Sequence, residues 1–219
     1  MDSLRDIPAT DVQADECWNL IYCKEKNKGP EQADNDEIGD CYNWVAIDRP
    51  TKLVLAFVCG RRTGENAMEL ARKVRRASSP AVRFQLTTNG LQSYIAAVDG
   101  PMRLRPTGED LRTVRRERAA LFPGRMHGSR SGGYQREPRR SEDLHQPRRQ
   151  NLTMRMQIRR LTRLTNAFSK KLENPRAAVA LHFAWYNFCQ IHGSLRVTPA
   201  MEAGIADHVW SVKELLSVS

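Results

Sequence analysis

The sequence predicts an α/β fold, a mixed sheet flanked by helices, and two observations carry that prediction. Between Val12 and Val98, strand-length apolar runs and segments of helical period follow one another as strand, hairpin, helix, strand, helix. From Arg149 to about Thr198 the chain, RQNLTMRMQIRRLTRLTNAFSKKLENPRAAVALHFAWYNFCQIHGSLRVT, then reads as two helices with a sharp joint. A segment with no sustained period separates these halves. The expected division is therefore 1–99 for the first part of the sheet domain, 100–148 for a long disordered or irregular insertion, and 149–219 for C-terminal helices.

Val12 to Cys23 (VQADECWNLIYC) is apolar and aromatic enough for a strand, yet carries Asp15 and Glu16 in its middle. A carboxylate buried in a strand is costly unless it is paired or metal-bound, and the plain alternative is a solvent-facing acid on an edge strand. Lys24 to Asp40 is polar, contains Gly29-Pro30 and reads as a loop. Tyr42–Asp48 and Leu53–Cys59 form two strands joined by Arg49-Pro50-Thr51. Asn66–Arg76 has Ala67, Leu70, Ala71 and Val74 at helical spacing, Val82–Leu86 is a further strand, and Leu91–Val98 a short helix. In the first of the two late helices, Met154, Ile158, Leu161, Thr165 and Phe168 recur at steps of three and four, with Arg155, Arg159 and Arg163 on the opposite side. Asn174-Pro175 restarts the chain as a second helix to about Cys189 that is apolar nearly all round and so expected to be buried. Short helical turns are expected at Pro199–Ile205 and Trp210–Leu216.

A formal net charge of +10 and a pI near 9.7 point to a polyanionic partner, nucleic acid above all. The five cysteines are scattered and never form a C-x-x-C pair, which favours reduced thiols over a zinc site and the cytoplasm as the compartment. The opening MDSLRDIPATD has neither a signal-peptide nor an anchor pattern, and no apolar run is long enough for a bilayer, so no membrane partner is expected. His182, His192, Trp185 and Tyr186 read as core or hydrogen-bonded residues, because no ligand partners stand at metal spacing around the histidines.

DECWNLIY, GDCYNWVAIDRPTKLVLAFVCG, RFQLTTNGLQSYIAAVD, RQNLTMRMQIRRLTRLTNAFSKKLEN and YNFCQIHGSLRVTPAM together resemble insertion-sequence DDE transposases of the InsB-like (insertion-sequence-one) group. The resemblance covers roughly residues 7–100 and 149–216. It implies an RNase H-like fold, a five-stranded mixed sheet with flanking helices, and metal-dependent strand cleavage and transfer on DNA. The implied cofactor is a pair of Mg²⁺ or Mn²⁺ ions held by three carboxylates, which clamp the attacking and leaving oxygens about 4 Å apart. DNA is the implied partner, with a second copy or an intact transposase as the protein partner.

Carried over residue by residue, the first acid of that family is Asp15, in Asp15-Glu16-Cys17-Trp18, and it is the one metal ligand retained. The second position, in Thr87-Thr88-Asn89-Gly90, holds Asn89, and the third, in Arg148-Arg149-Gln150-Asn151-Leu152, holds Arg148. An amide coordinates weakly and a guanidinium repels a cation, so productive metal binding and catalysis are not expected. Arg155, Arg159 and Arg163 are the expected DNA contacts, through phosphate and without sequence preference. No helix-turn-helix pattern precedes Asp15, whereas the family usually carries one upstream, so end-specific recognition is expected to be missing.

The insertion has many arginines and no lysine, although lysine occurs on both sides of it. A frameshift accounts for this. Arg103–Arg112 can be encoded so that reading from the second base gives Asp-Tyr-Gly-Gln-Leu-Val-Lys-Ile-Tyr, a sequence of the kind the family carries here. Ala120–Gly128 at the same offset gives Arg-Tyr-Ser-Pro-Ala-Glu-Cys-Met, and Asp143–Arg148 gives Ile-Ser-Thr-Ser-His. Two compensating indels, near Gly100 and near Arg148, explain the run, and the second removes the third acid. Stop codons in that frame of the gene across codons 103–148 would exclude the idea. Residues from a shifted frame were never selected for a hydrophobic face. The competing view is an authentic arginine-rich nucleic-acid tail, and with it a non-catalytic basic nucleic-acid-binding protein, or an inhibitor that pairs with an intact transposase.

Overall fold

β1 (Asp11–Ile21) is the strand on which the sheet assembles. The structure is a computed structural model and describes residues 4–88, 94, 145–162 and 166–217. The helix expected over Leu91–Val98 (Tyr94 apart) and the insertion as far as residue 144 lie outside the described residues. Among the described residues the order is β3 (Val54–Gly60), β2 (Gly39–Asp48), β1, β4 (Gln85–Thr88). β2 pairs antiparallel with β1 and β3, and β4 pairs parallel with β1, so the sheet is mixed. Asp15 faces Val45 across the first ladder, and Ala14 faces Thr88 across the last. β1 is thus an interior strand, which corrects the edge-strand reading of its acids.

Alternation along β1 sends its side chains to two layers. Val12 and Ala14 join Trp44, Leu53 and Leu55 under α1 (Gly64–Ala77), whose Ala67, Leu70, Ala71, Val74 and Ala77 form the buried stripe. Thr63 caps that helix, its hydroxyl accepting from the Asn66 N–H at 3.4 Å. On the other face Cys17, Val45, Ile47 and Val54 pack under α2 (His145–Gln157) and α3 (Glu173–Phe188) through Met154, Val179 and Phe183. The result is helix, sheet, helix.

α2 is shorter than its period suggests. It stops at Gln157, Ile158 turns extended, and a 3₁₀ turn carries Arg159–Leu161. The Thr162 hydroxyl donates to the Arg155 carbonyl at 3.1 Å and so satisfies one of the carbonyls the helix end leaves open. Ile158 and Leu161 remain buried, because a three-residue step keeps both on one side in the tighter turn as well. β4 also lies further along than the Val82–Leu86 run predicted. Its pairing begins where the Gln85 N–H donates to the Thr10 carbonyl at 2.9 Å. A four-residue strand is too short to announce itself by alternation.

α3 begins at Glu173, with Pro175 in its first turn, where a missing N–H costs nothing. It is not buried all round: Val179 and Phe183 are fully buried, while Leu181, on the far side, is 54% exposed. His182 is buried, and that burial lowers its pKa from 6.5 to about 4. The folded protein therefore holds it neutral, and below about pH 6.5 the unfolded chain binds the extra proton. Stability should fall as pH drops from 6.5 toward 4, by up to about 3 kcal/mol. Urea midpoints for the wild type and His182→Phe should converge above pH 7 and separate below 6. Parallel curves would show that another group carries the acid sensitivity.

Side chains of α3 bond backbone groups at both ends of β3. The Asn187 amide donates to the Val54 carbonyl at 2.9 Å and accepts from the Val54 N–H at 3.0 Å, imitating a neighbouring strand. Arg176 donates to the Cys59 carbonyl from both Nε and a terminal nitrogen at 3.3 Å. Unpaired edge groups are the usual template for unwanted strand addition, and here those of Val54 and the Cys59 carbonyl are spent internally. Cys41 and Cys59 lie buried at the same end, and burial pushes their thiols up to about 11 and about 12.

Beyond α3, the Thr198 hydroxyl accepts from the Met201 N–H at 3.2 Å and Pro199 opens α4 (Pro199–Glu202). α5 (Val212–Ser217) starts in a reciprocal capping box between Ser211 and Glu214, at 3.2 and 2.7 Å. Trp210 packs against Phe188 with tilted rings, their centroids 4.5 Å apart, and fastens this tail to α3. No helix among the described residues is long and apolar enough to cross a membrane.

Candidate functional site

Asp15 and Glu16 are consecutive on an interior strand, so they point into opposite layers. Asp15 lies on the α2 side, where its Oδ2 accepts a hydrogen bond from the Asn151 amide at 3.0 Å. Glu16 lies on the α1 side with its side chain 2% exposed, and an Arg62 terminal nitrogen stands 3.6 Å from it. Arg62 in turn sits over the Tyr42 ring at 5.6 Å. Tyr94, edge-on to Trp44 at 5.5 Å, has its phenol pushed well up by burial first and by the Glu16 and Asp15 charges after it. The Glu16–Arg62 pair went unnoticed in the sequence. Only the adjacent acids hinted at it, since a two-residue period must bury one of them.

Of the residues expected at the site, Asp15 lies on β1 against α2 and Arg148 is an exposed residue of α2, three positions before Asn151. Residues three apart share one side of a helix, so Arg148 and Asn151 lie on the same side of α2. Asn89 lies outside the described residues. The strand leading to it ends at Thr88, the partner of the residue before Asp15.

The three arginines expected to contact DNA part company. Arg155 does not face outward as its spacing from Arg159 suggested: its Nε donates to the Cys17 sulfur at 2.9 Å and a terminal nitrogen donates to the Trp18 carbonyl at 3.2 Å. It clamps α2 onto β1. Arg159 is exposed on the 3₁₀ turn, and Arg163 lies outside the described residues. The cause is the early end of α2, which breaks the four-residue step on which the common face depended.

A pair of divalent ions requires several hard oxygen donors around Asp15. Among the described residues no three His, Cys, Asp or Glu side chains converge in a way that could hold a metal ion. Asp15 spends one oxygen on an amide donor, and the neighbouring helix position is cationic. At the described positions the α2 side chains nearest in sequence to this contact are an amide and a guanidinium, not carboxylates. His182 packs on Phe183, Trp185 and Tyr186. His192 meets the edge of Tyr186 and keeps its Nδ1 3.0 Å from the Ser194 hydroxyl. Comparison with protein-family models finds no match for the chain, and comparison with curated proteins finds none either.

Proposed function

We propose that this chain is a decayed DDE-type insertion-sequence transposase with an RNase H-like fold, one that binds DNA and no longer cuts it. The observation that carries the reading is the Asp15–Asn151 contact. An interior strand flanked by an antiparallel and a parallel neighbour presents a carboxylate to a crossing helix. In a working enzyme of this kind that helix would bring a second carboxylate. Here the position of that acid is Arg148, three residues before the Asn151 that meets Asp15. The sheet order β3-β2-β1-β4 and the resemblance of the flanking motifs support the same reading. The net charge of +10 supports retained affinity for DNA.

Plasmid nicking with Mg²⁺ or Mn²⁺ tests the loss of chemistry, with Asp15→Ala as control. No nicking above that control is expected. Nicking by the wild type that vanishes in Asp15→Ala would restore the enzyme reading. A gel shift on duplex DNA should show retardation at low salt that fades as salt rises. No retardation at low salt would remove the binding half of the proposal. The Asn151 amide on Asp15 equally favours a second reading, a non-catalytic nucleic-acid-binding protein that pairs with an intact transposase and inhibits it. Added to an active transposase of the group, the chain should then lower strand transfer at constant DNA concentration.

A further inference from the structure

At its C-terminal end β1 runs into a strained residue. Tyr22 follows the last strand residue, Ile21, with φ +64°, a backbone state that residues other than glycine seldom adopt. The Cys23 N–H donates back to the Ile21 carbonyl at 2.7 Å and closes a three-residue turn with Tyr22 at its tip, in the hand that is rare and strained. The tip is also held by a distant segment. The Tyr22 N–H donates to the Ser169 carbonyl at 2.8 Å, and Ile21 and Ser169 pair as a parallel bridge. Ser169 is buried, so this anchor is part of the fold.

Little inside the protein explains this arrangement. The Tyr22 side chain is 47% exposed, and among the described residues its ring stacks on no other ring and its hydroxyl makes no hydrogen bond. The anchor decides what stands beside it. Where two chains pair in parallel, the residues that follow the paired ones are neighbours, so Lys170 leaves the backbone beside Tyr22, with Lys171 after it. Both lysines are exposed, and among the described residues neither makes an ion pair. The acids of the two segments are engaged or set apart. Glu25 accepts from Lys28 at 2.9 Å and from Arg61 at 3.3 Å. Glu173 stands in the first turn of α3, where the N-terminus of a helix favours a negative charge.

Strained backbone persists only where the surrounding structure over-determines it, and it concentrates at binding sites. A half-exposed ring on a fixed turn, with two cations next to it, suits a nucleobase on the ring face and the adjoining phosphates on the cations. A duplex hides its base faces in the stack, so the base in question is an unpaired one. We propose that Tyr22 is a stacking platform for an unpaired base of single-stranded DNA, with Lys170 and Lys171 on the neighbouring phosphates. DNA as the source of that base rests on the proposed nucleic-acid binding; the anchored, exposed ring beside two lysines does not.

Anisotropy of a labelled single strand and of its duplex, measured against salt with the full chain, tests it. Tyr22→Ala should lose about fivefold or more in affinity for the single strand and keep its affinity for the duplex, while Tyr22→Phe should bind both as the wild type does. A single strand without bases should be bound equally by the wild type and Tyr22→Ala. In Lys170→Gln/Lys171→Gln the log–log salt slope for the single strand should shrink by about 1.4, the worth of two phosphate contacts. Unchanged single-strand affinity in Tyr22→Ala, with the duplex still bound, would overturn the platform and leave DNA binding through other residues intact. Failure of the wild type to bind either form at low salt would overturn the platform and the DNA-binding reading together. Tyr22→Gly separates binding from fold, because glycine adopts φ +64° without strain. This variant should melt no lower than the wild type and lose single-strand affinity as Tyr22→Ala does. A melt well below the wild type would show that the ring is held for packing, and would overturn the assignment.

Discussion

Asn187→Ala is expected to destabilise the protein by about 2–4 kcal/mol, enough to move the urea midpoint by a molar or more. The side chain is fully buried, and its amide serves both polar groups of Val54. Truncation leaves a backbone donor and a backbone acceptor without partners in a place water does not reach. Each such orphan costs about 1–3 kcal/mol, and the space vacated adds to it. Asn187→Asp separates the parts. It keeps the acceptor for the Val54 N–H, loses the donor for the carbonyl, and sets a carboxylate against that oxygen. A loss for Asn187→Asp well below that for Ala would mean that the space matters more than the hydrogen bonds.

Phe183→Ala should cost about 3–5 kcal/mol, whereas Leu181→Ala, two residues away on the same helix, should stay within about 0.5 kcal/mol. Phe183 is fully buried, lies 5.5 Å from the Phe57 ring, and fills the layer between α3 and the sheet beside Val45 and Val179. Leu181 points the other way and is 54% exposed. Since small domains are held by only about 5–15 kcal/mol, the first variant should be close to unfolding at ambient temperature. Calorimetric melting of both variants reads the contrast directly. Equal losses would mean that α3 is covered on its far side as well, as its composition alone suggested.

The comparison of Leu181 with Phe183 also marks how far the sequence can be read. Hydrophobic content announced α3, and Asn174-Pro175 marked its start only approximately, since the helix begins at Glu173 with Leu172 as its cap; a helix apolar on every side gives no phase, so the face that meets the sheet was hidden. The hairpin was plain because two β-rich runs flank a proline turn. β1 was visible as a strand, and its place in the sheet was not, since an acid in the middle of a strand suits an edge as well as a paired interior position. For Asp15 and Glu16 the missing information is non-local: one is met by Asn151, the other by Arg62, and neither lies near in sequence. The arginine row failed for a similar reason. Its period was real over a few turns, and a single extended residue, Ile158, put Arg155 and Arg159 to different uses.

The buried thiols of Cys41 and Cys59 give the fold an internal clock. Protonated at any physiological pH and out of reach of solvent, they are invisible to alkylating reagents until the strands that hold them part. The rate at which they become alkylated then reports the opening of this part of the sheet, and no cysteine need be introduced to read it.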